Sequence, residues 1–210
     1  QGPVRFLFVG RLLRSKGLAL LAEAAKLLKA QGLEFELDIL GPTDSNPDAI
    51  EPEQLDAWQS EGLLRYCGAT NDVVPFLQAS SVLVLPTSLR EGIPRSILEA
   101  MSCGRAVITT DAPGCGETIE HGVSGFVVPR GDVQALAAAM KSFIETPAQA
   151  AKMGAASRAL VCSKNDIHRV NARLMQLMGI EAVRYASGSR SLGSPAEAEL
   201  VCQVSEVALP

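Results

Sequence analysis

The chain predicts an α/β protein, a doubly wound parallel sheet of six strands, and three features carry that expectation. Short apolar runs recur at VRFLFV (4–9), FELDIL (35–40), 63–67, SVLVLP (81–86), AVITT (106–110) and GFVV (125–128). Stretches with helical spacing of apolar residues lie between them. Glycine or proline closes most of the runs: Gly10, Gly41-Pro42, Gly68, Pro86 and Pro129. Strands of about five residues, apolar on both sides, imply parallel pairing with both faces covered. On such sheets ligands sit at the carboxyl ends of the strands. That rule gathers 10–17, 41–46, 68–72, 86–94 and 110–116 on one rim.

In order, the first strand ends at Gly10. Ser15 is placed to cap a helix from about Lys16 to Ala30, whose inner stripe is Leu18, Leu21, Ala25 and Leu28, stopped by Gly32. After the second strand, 43–52 is rich in Asp, Asn, Pro and Ser and reads as loop, with a weaker helix over 53–61. A third strand covers 63–67, and Asn71-Asp72 opens a short helix to about Gln78. Pro94 suits the first position of a helix over 94–102, because its missing N–H would be unpaired there. A fifth strand, a small-residue loop from Asp111 to Gly116, a short helix near 117–120 and a sixth strand follow. Asp132 is the expected cap of a helix over 133–144, and helices at 148–161 and 165–178 complete the fold. Beyond about Glu181 the composition shifts, and SGSRSLGS (187–194) reads as linker, so residues 1–178 are expected to form the working domain and 179–210 a tail.

The chain has 210 residues and a net charge of −4, which excludes a general basic field for nucleic acid. Its five cysteines are odd in number, widely spaced and without a CxxC, which fits a reducing cytosol and neither a disulfide framework nor a zinc site. The two histidines, like the Asp and Glu residues, belong to no group with metal-ligand spacing. No apolar run approaches the roughly 18 residues of a membrane span. Gln1-Gly2-Pro3 runs straight into a strand, as in a domain cut from something longer.

Two stretches carry chemistry. Arg11, Arg14 and Lys16 place three cations within six residues, just before a helix start that already favours anions. The motif is neither a Walker A loop nor a dinucleotide fingerprint. Downstream, EGIPRSILEAMSCG (91–104) puts Glu91 on a glycine loop and Glu99 in the second turn of the next helix, eight residues on. Spacing alone leaves two readings open for each. Glu91 is a solvated loop charge or a sugar ligand, and Glu99 pairs with Arg95 at i, i+4 or accepts two hydrogen bonds from a ribose diol. Cys103 and Cys115 lack a nearby base and read as packing residues, and His121, before Gly122, as a turn residue.

Together VGRLLRSKG (9–17), LDILGP (37–42), 66–119 and HGVSGFVVPRGD (121–132) resemble the C-terminal, donor-binding domain of the retaining family 4 GT-B glycosyltransferases, over about 1–178. The likeness is to members that build bacterial surface polysaccharides on lipid carriers. It implies a Rossmann-like fold and a nucleoside diphosphate sugar donor, UDP-linked by preference. By that resemblance Gly10, Arg11 and Lys16 hold the diphosphate, Glu99 the ribose, and Glu91 the sugar. The Gly92-Ile93-Pro94 backbone lies against sugar and phosphate, and the base lies near residues 66–70, with Tyr66 and Gly68 among its contacts. Glu91, Arg11 and Lys16 are then the residues on which transfer depends. The resemblance implies no metal or other cofactor, a lipid-linked saccharide acceptor, and a cytoplasmic protein peripheral to the inner membrane face. Family members carry an N-terminal acceptor domain that is missing here, so the fragment is expected to bind donor without catalysing transfer. Gly116 departs from the pattern, which has a bulkier polar residue there. Three other readings compete with it: a nucleotide-sugar epimerase on the same fold, a non-catalytic interaction module, and a glycoside hydrolase using the two glutamates.

Overall fold

A computed structural model of the chain describes residues 2–178. Its strands are β1 (Val4–Val9), β2 (Phe35–Leu40), β3 (Arg65–Tyr66), β4 (Val82–Leu85), β5 (Ala106–Thr110) and β6 (Gly125–Val128). They form one sheet in the order β3-β2-β1-β4-β5-β6. Every pairing is parallel, as the apolar strands required. Val4 opposes Phe35 and Val9 opposes Leu40, while Phe6 and Leu7 oppose Val82 and Leu83 on the other side. All residues of β4 and β5 are buried.

The helices are α1 (Leu18–Ala30), α2 (Pro52–Ser60), α3 (Val74–Ala79), α4 (Arg95–Ser102), α5 (Val133–Glu145), α6 (Ala148–Lys164) and α7 (Ile167–Leu177). Leu18, Leu21, Ala22, Ala25 and Leu28 bury one stripe of α1, and Leu136, Met140 and Phe143 one stripe of α5. These two helices pack together, as α3 does with α4. The strand order reverses between β1 and β4. With right-handed crossovers, α1 and α4 therefore lie on opposite faces of the sheet. Asp132 caps α5 as expected, accepting the Ala135 N–H at 2.9 Å.

Several boundaries differ from the sequence expectation. Helix α1 begins at Leu18, because Arg14–Lys16 form a separate 3-10 turn that ends in left-handed Gly17. Ser15 is thus no helix cap. Pro94 is not the first helical residue but the cap before it, with ψ of 127°, and its carbonyl accepts the Ile97 and Leu98 N–H groups at 3.1 and 3.3 Å. The third strand shrinks to Arg65–Tyr66, which pair only with Asp38 and Ile39 at the sheet edge. Asp72 makes a turn by accepting the Val74 N–H at 3.2 Å, so α3 starts later than Asn71. Residues Gly116–Thr118 make only a 3-10 turn.

The chain divides at Ser163/Lys164 into two compact units. The first holds the sheet. In the described part of the second, α7 is capped by Asp166, which accepts the His168 and Arg169 N–H groups at 3.0 Å. The expected linker and tail, 179–210, lie outside the described residues. Among the described residues no helix is long and apolar enough to cross a membrane.

Leu83 lies at the centre of the sheet and is fully buried. Leu83→Ala should lower unfolding stability by about 2–5 kcal/mol. Urea denaturation followed by circular dichroism measures this, and an unshifted midpoint would contradict the packing described.

Candidate functional site

Strands β1 and β4 are neighbours whose chains leave in opposite directions. Such a reversal opens a crevice at their carboxyl ends, the preferred ligand position on a doubly wound sheet. The loop after β1 brings Lys16 to that crevice and the loop after β4 brings Glu91. They meet there: the Lys16 Nζ donates to both Glu91 carboxylate oxygens at 2.7 Å. The side chains are 14% and 24% exposed, so the pair is partly shielded from water. Glu91 is therefore not a solvated loop charge.

Each loop is held by backbone-level contacts. The Ser15 N–H donates to Asp48 at 3.1 Å, the Ser15 hydroxyl donates to the same carboxylate, and the Arg14 N–H donates to the Asp48 carbonyl at 2.8 Å. The Ser15 carbonyl accepts from the Ser88 N–H at 2.9 Å, from the Ser88 hydroxyl at 3.1 Å and from the Thr87 hydroxyl at 3.2 Å. Ser15 is thus gripped by the loop after β2 on one side and the loop after β4 on the other. Two glycines make the close approach feasible. Gly17, at φ 81°, presses on the Pro86 carbonyl, and Gly114, at φ 87°, presses on the Glu91 and Gly92 carbonyls. A Cβ at either position would collide with backbone.

Other expected site residues hold partners of their own. Arg11, with a side chain 56% exposed, donates to Asp44 at 3.1 Å. Glu99 accepts from Arg95 Nε at 2.9 Å, the i, i+4 pair that spacing left open, and that arginine side chain is 91% exposed. Gly10 donates its N–H to Leu40, and its carbonyl lies against Gly41. The Gly41 N–H donates to the Gly68 carbonyl at 2.8 Å, and the Tyr66 hydroxyl donates to the Gly41 carbonyl at 3.0 Å. These bonds knit three rim loops together. Gly92, Ile93 and Pro94 lead from Glu91 into α4, with Ile93 exposed and open space around Gly92. A Cβ at Gly116 would sit 3.4 Å from the Asp111 Cα and the Thr110 carbonyl, an ordinary contact distance, so nothing in the local packing demands glycine there.

Burial pushes the thiols of Cys103 and Cys115 up, which makes them poor nucleophiles at neutral pH. His121 accepts the Val127 N–H on Nδ1 at 3.1 Å and so is tied to the backbone. No group of three or more potential metal ligands occurs among the described residues. Two hollows, of about 220 Å³ beside Phe35–Asp38 and about 340 Å³ between His121 and Ser142, include neither Lys16 nor Glu91. Sequence reasoning missed Asp48, taken as loop, and Thr87. Neither residue stands in a periodic pattern or a charge cluster that would single it out.

A family profile described as glycosyl transferases group 1 matches residues 3–146. The amylovoran biosynthesis glycosyltransferase AmsK of Erwinia amylovora is 32% identical over 187 residues, covering 84% of this chain and 44% of that protein. The N,N'-diacetylbacillosaminyl-diphospho-undecaprenol alpha-1,3-N-acetylgalactosaminyltransferase of Campylobacter jejuni is 36% identical over 119 residues, 57% of this chain and 30% of that protein. Among solved structures, Anabaena Alr3699/HepE in complex with UDP superposes with a TM-score of 0.71 at 22% identity, over 84% of this chain and 49% of that one, a likeness of fold. The chain spans less than half the length of these relatives.

Hydrogen bonds from the Ser15 hydroxyl and then its amide hold the Asp48 carboxyl below the ordinary 3.8, against the opposing effect of desolvation. A depressed folded-state value stabilises above the unfolded pKa and is lost as pH falls through the folded one. Asp48→Asn should therefore flatten the acid limb of stability below about pH 4. Urea midpoints measured at a series of acidic pH values report this, and parallel curves for both proteins would contradict it.

Proposed function

Because the chain belongs to the group 1 glycosyl transferases, we propose that it forms the donor-binding half of a retaining transferase acting in polysaccharide biosynthesis. The carrying observation is the meeting of Lys16 and Glu91 in the crevice where the strand order reverses, with Gly92-Ile93-Pro94 leading from it into α4. A diphosphate needs cations and free N–H groups, and a sugar needs a carboxylate beside them. In this reading Lys16 and Arg11 take the diphosphate and Glu91 takes the sugar. Glu99 takes the ribose hydroxyls, and the base lies near Tyr66 and Gly68. As the bond from the sugar's anomeric carbon to the diphosphate oxygen breaks, negative charge grows on the departing diphosphate, and in this reading the two cations stabilise it. Their charge would fill the role of a metal ion, so none is invoked.

The surface pairs do not withhold these groups. An exposed i, i+4 pair such as Arg95–Glu99 contributes only a few tenths of a kcal/mol, and the exposed Arg11–Asp44 pair is of the same class. A ribose or phosphate offering a charge-assisted hydrogen bond of about 1.5–3 kcal/mol can displace either. UDP is the favoured donor nucleotide because the Anabaena structural neighbour carries UDP. A lipid-linked saccharide is the favoured acceptor because the Campylobacter relative is named for an undecaprenol-linked substrate. Acting on such an acceptor would place the protein at a membrane surface, with the acceptor-binding half supplied from outside these 210 residues.

Lys16→Ala and Glu99→Ala should each weaken UDP binding by about 1–3 kcal/mol. Titration calorimetry with UDP, GDP and ADP on the 210-residue chain tests the reading and the base preference together. Unchanged affinity in both variants would rule the reading out.

A further inference from the structure

In the described structure Lys16 already has a counter-charge. Both carboxylate oxygens of Glu91 lie 2.7 Å from its Nζ. A diphosphate that uses Lys16 must therefore share it with Glu91 or take it over. Glu91 Oε1 is also 3.3 Å from the hydroxyl of Thr87, which is fully buried. That hydroxyl has one proton and two acceptors within reach, Glu91 Oε1 and the Ser15 carbonyl at 3.2 Å, while it accepts the Leu89 N–H at 3.1 Å. The Ser15 carbonyl has two further donors, the Ser88 N–H and hydroxyl, so it does not depend on Thr87. The Glu91 backbone is pinned, with its carbonyl against Gly114 and its N–H toward the Pro113 carbonyl at 3.4 Å. Movement at Glu91 is thus left to its side chain.

We propose that Thr87 is a positioning residue that holds the Glu91 carboxylate on Lys16, in the place the donor's diphosphate would take. The inference rests on the donor-site reading above. When a diphosphate takes Lys16, the carboxylate is released by side-chain rotation toward the sugar side of the crevice. The Thr87 hydroxyl then donates to the Ser15 carbonyl alone. Engagement of the sugar by Glu91 thus becomes conditional on the diphosphate being in place, and the resting pair lowers affinity for the bare nucleotide.

The sign of this effect is opposite to that of a simple contact. Removing the carboxylate's charge with Glu91→Gln should tighten UDP binding by about threefold to tenfold, the order expected for relieving one competing charge in a half-shielded site. Thr87→Val, which keeps the shape and loses the hydroxyl, should tighten it by about two- to fivefold. Thr87→Ser, which keeps the hydroxyl, should match the wild type. Thr87→Val should have no effect in the Glu91→Gln background. Titration calorimetry of the 210-residue chain with UDP reads all five proteins. Weaker UDP binding in Glu91→Gln would show that the carboxylate supports the nucleotide instead of competing with it. An equal effect of Thr87→Val in both backgrounds would show a purely structural role for Thr87. Either result would overturn the proposal. Should Thr87→Val fail to fold, the Glu91→Gln comparison still decides. Absence of UDP binding by the wild-type chain would overturn the donor-site reading itself, and this inference with it.

Discussion

Two parallel strands that lie side by side while their chains depart to opposite faces cannot close the space above their carboxyl ends. Everything at the rim follows from that reversal between β1 and β4. The loop after β1 must turn toward one face and the loop after β4 toward the other, so their tips confront each other across a gap. A lysine on one tip and a glutamate on the other find each other there, 75 residues apart in sequence. Parallel pairing forces all strand ends of one sense onto the same rim, which also brings the loops after β2, β3 and β5 into reach.

What keeps the gap well defined is backbone contact more than side-chain contact. Carbonyls of Pro86, Glu91 and Gly92 lie directly against Gly17 and Gly114, where no Cβ fits. Ser15 is tied through its amide and hydroxyl to Asp48 and through its carbonyl to Thr87 and Ser88. Loops are ordinarily the mobile part of a fold, and polar groups in them go to water. Here they go to one another, so the cationic turn and the acidic loop are tied into one framework that carries the Lys16 and Glu91 side chains.

The charges on the rim fall into two groups. Lys16 and Glu91 are partly shielded and face each other, so a ligand that engages one alters the other. Arg11 with Asp44 and Glu99 with Arg95 are solvent-screened pairs, cheap to break. The shielded pair is thus the part of the rim where one charge most strongly sets the state of another.

The sequence determined the element order, the parallel sense and the rim on which chemistry gathers, because apolar runs, helical spacing and glycine stops are local signals read within a few residues. It also placed Glu91 on a loop, Glu99 on a helix and Lys16 before a helix. It misjudged Ser15, since a serine before a helical stretch looks like a cap whether or not its hydroxyl has a better acceptor elsewhere. That acceptor, Asp48, lies 33 residues away in a stretch that carries only turn chemistry. Which charges pair, and that Thr87 touches both sides of the crevice, only the tertiary structure decided. Hydrogen bonds between residues tens of positions apart depend on where the sheet order reverses, and no periodicity along the chain records that.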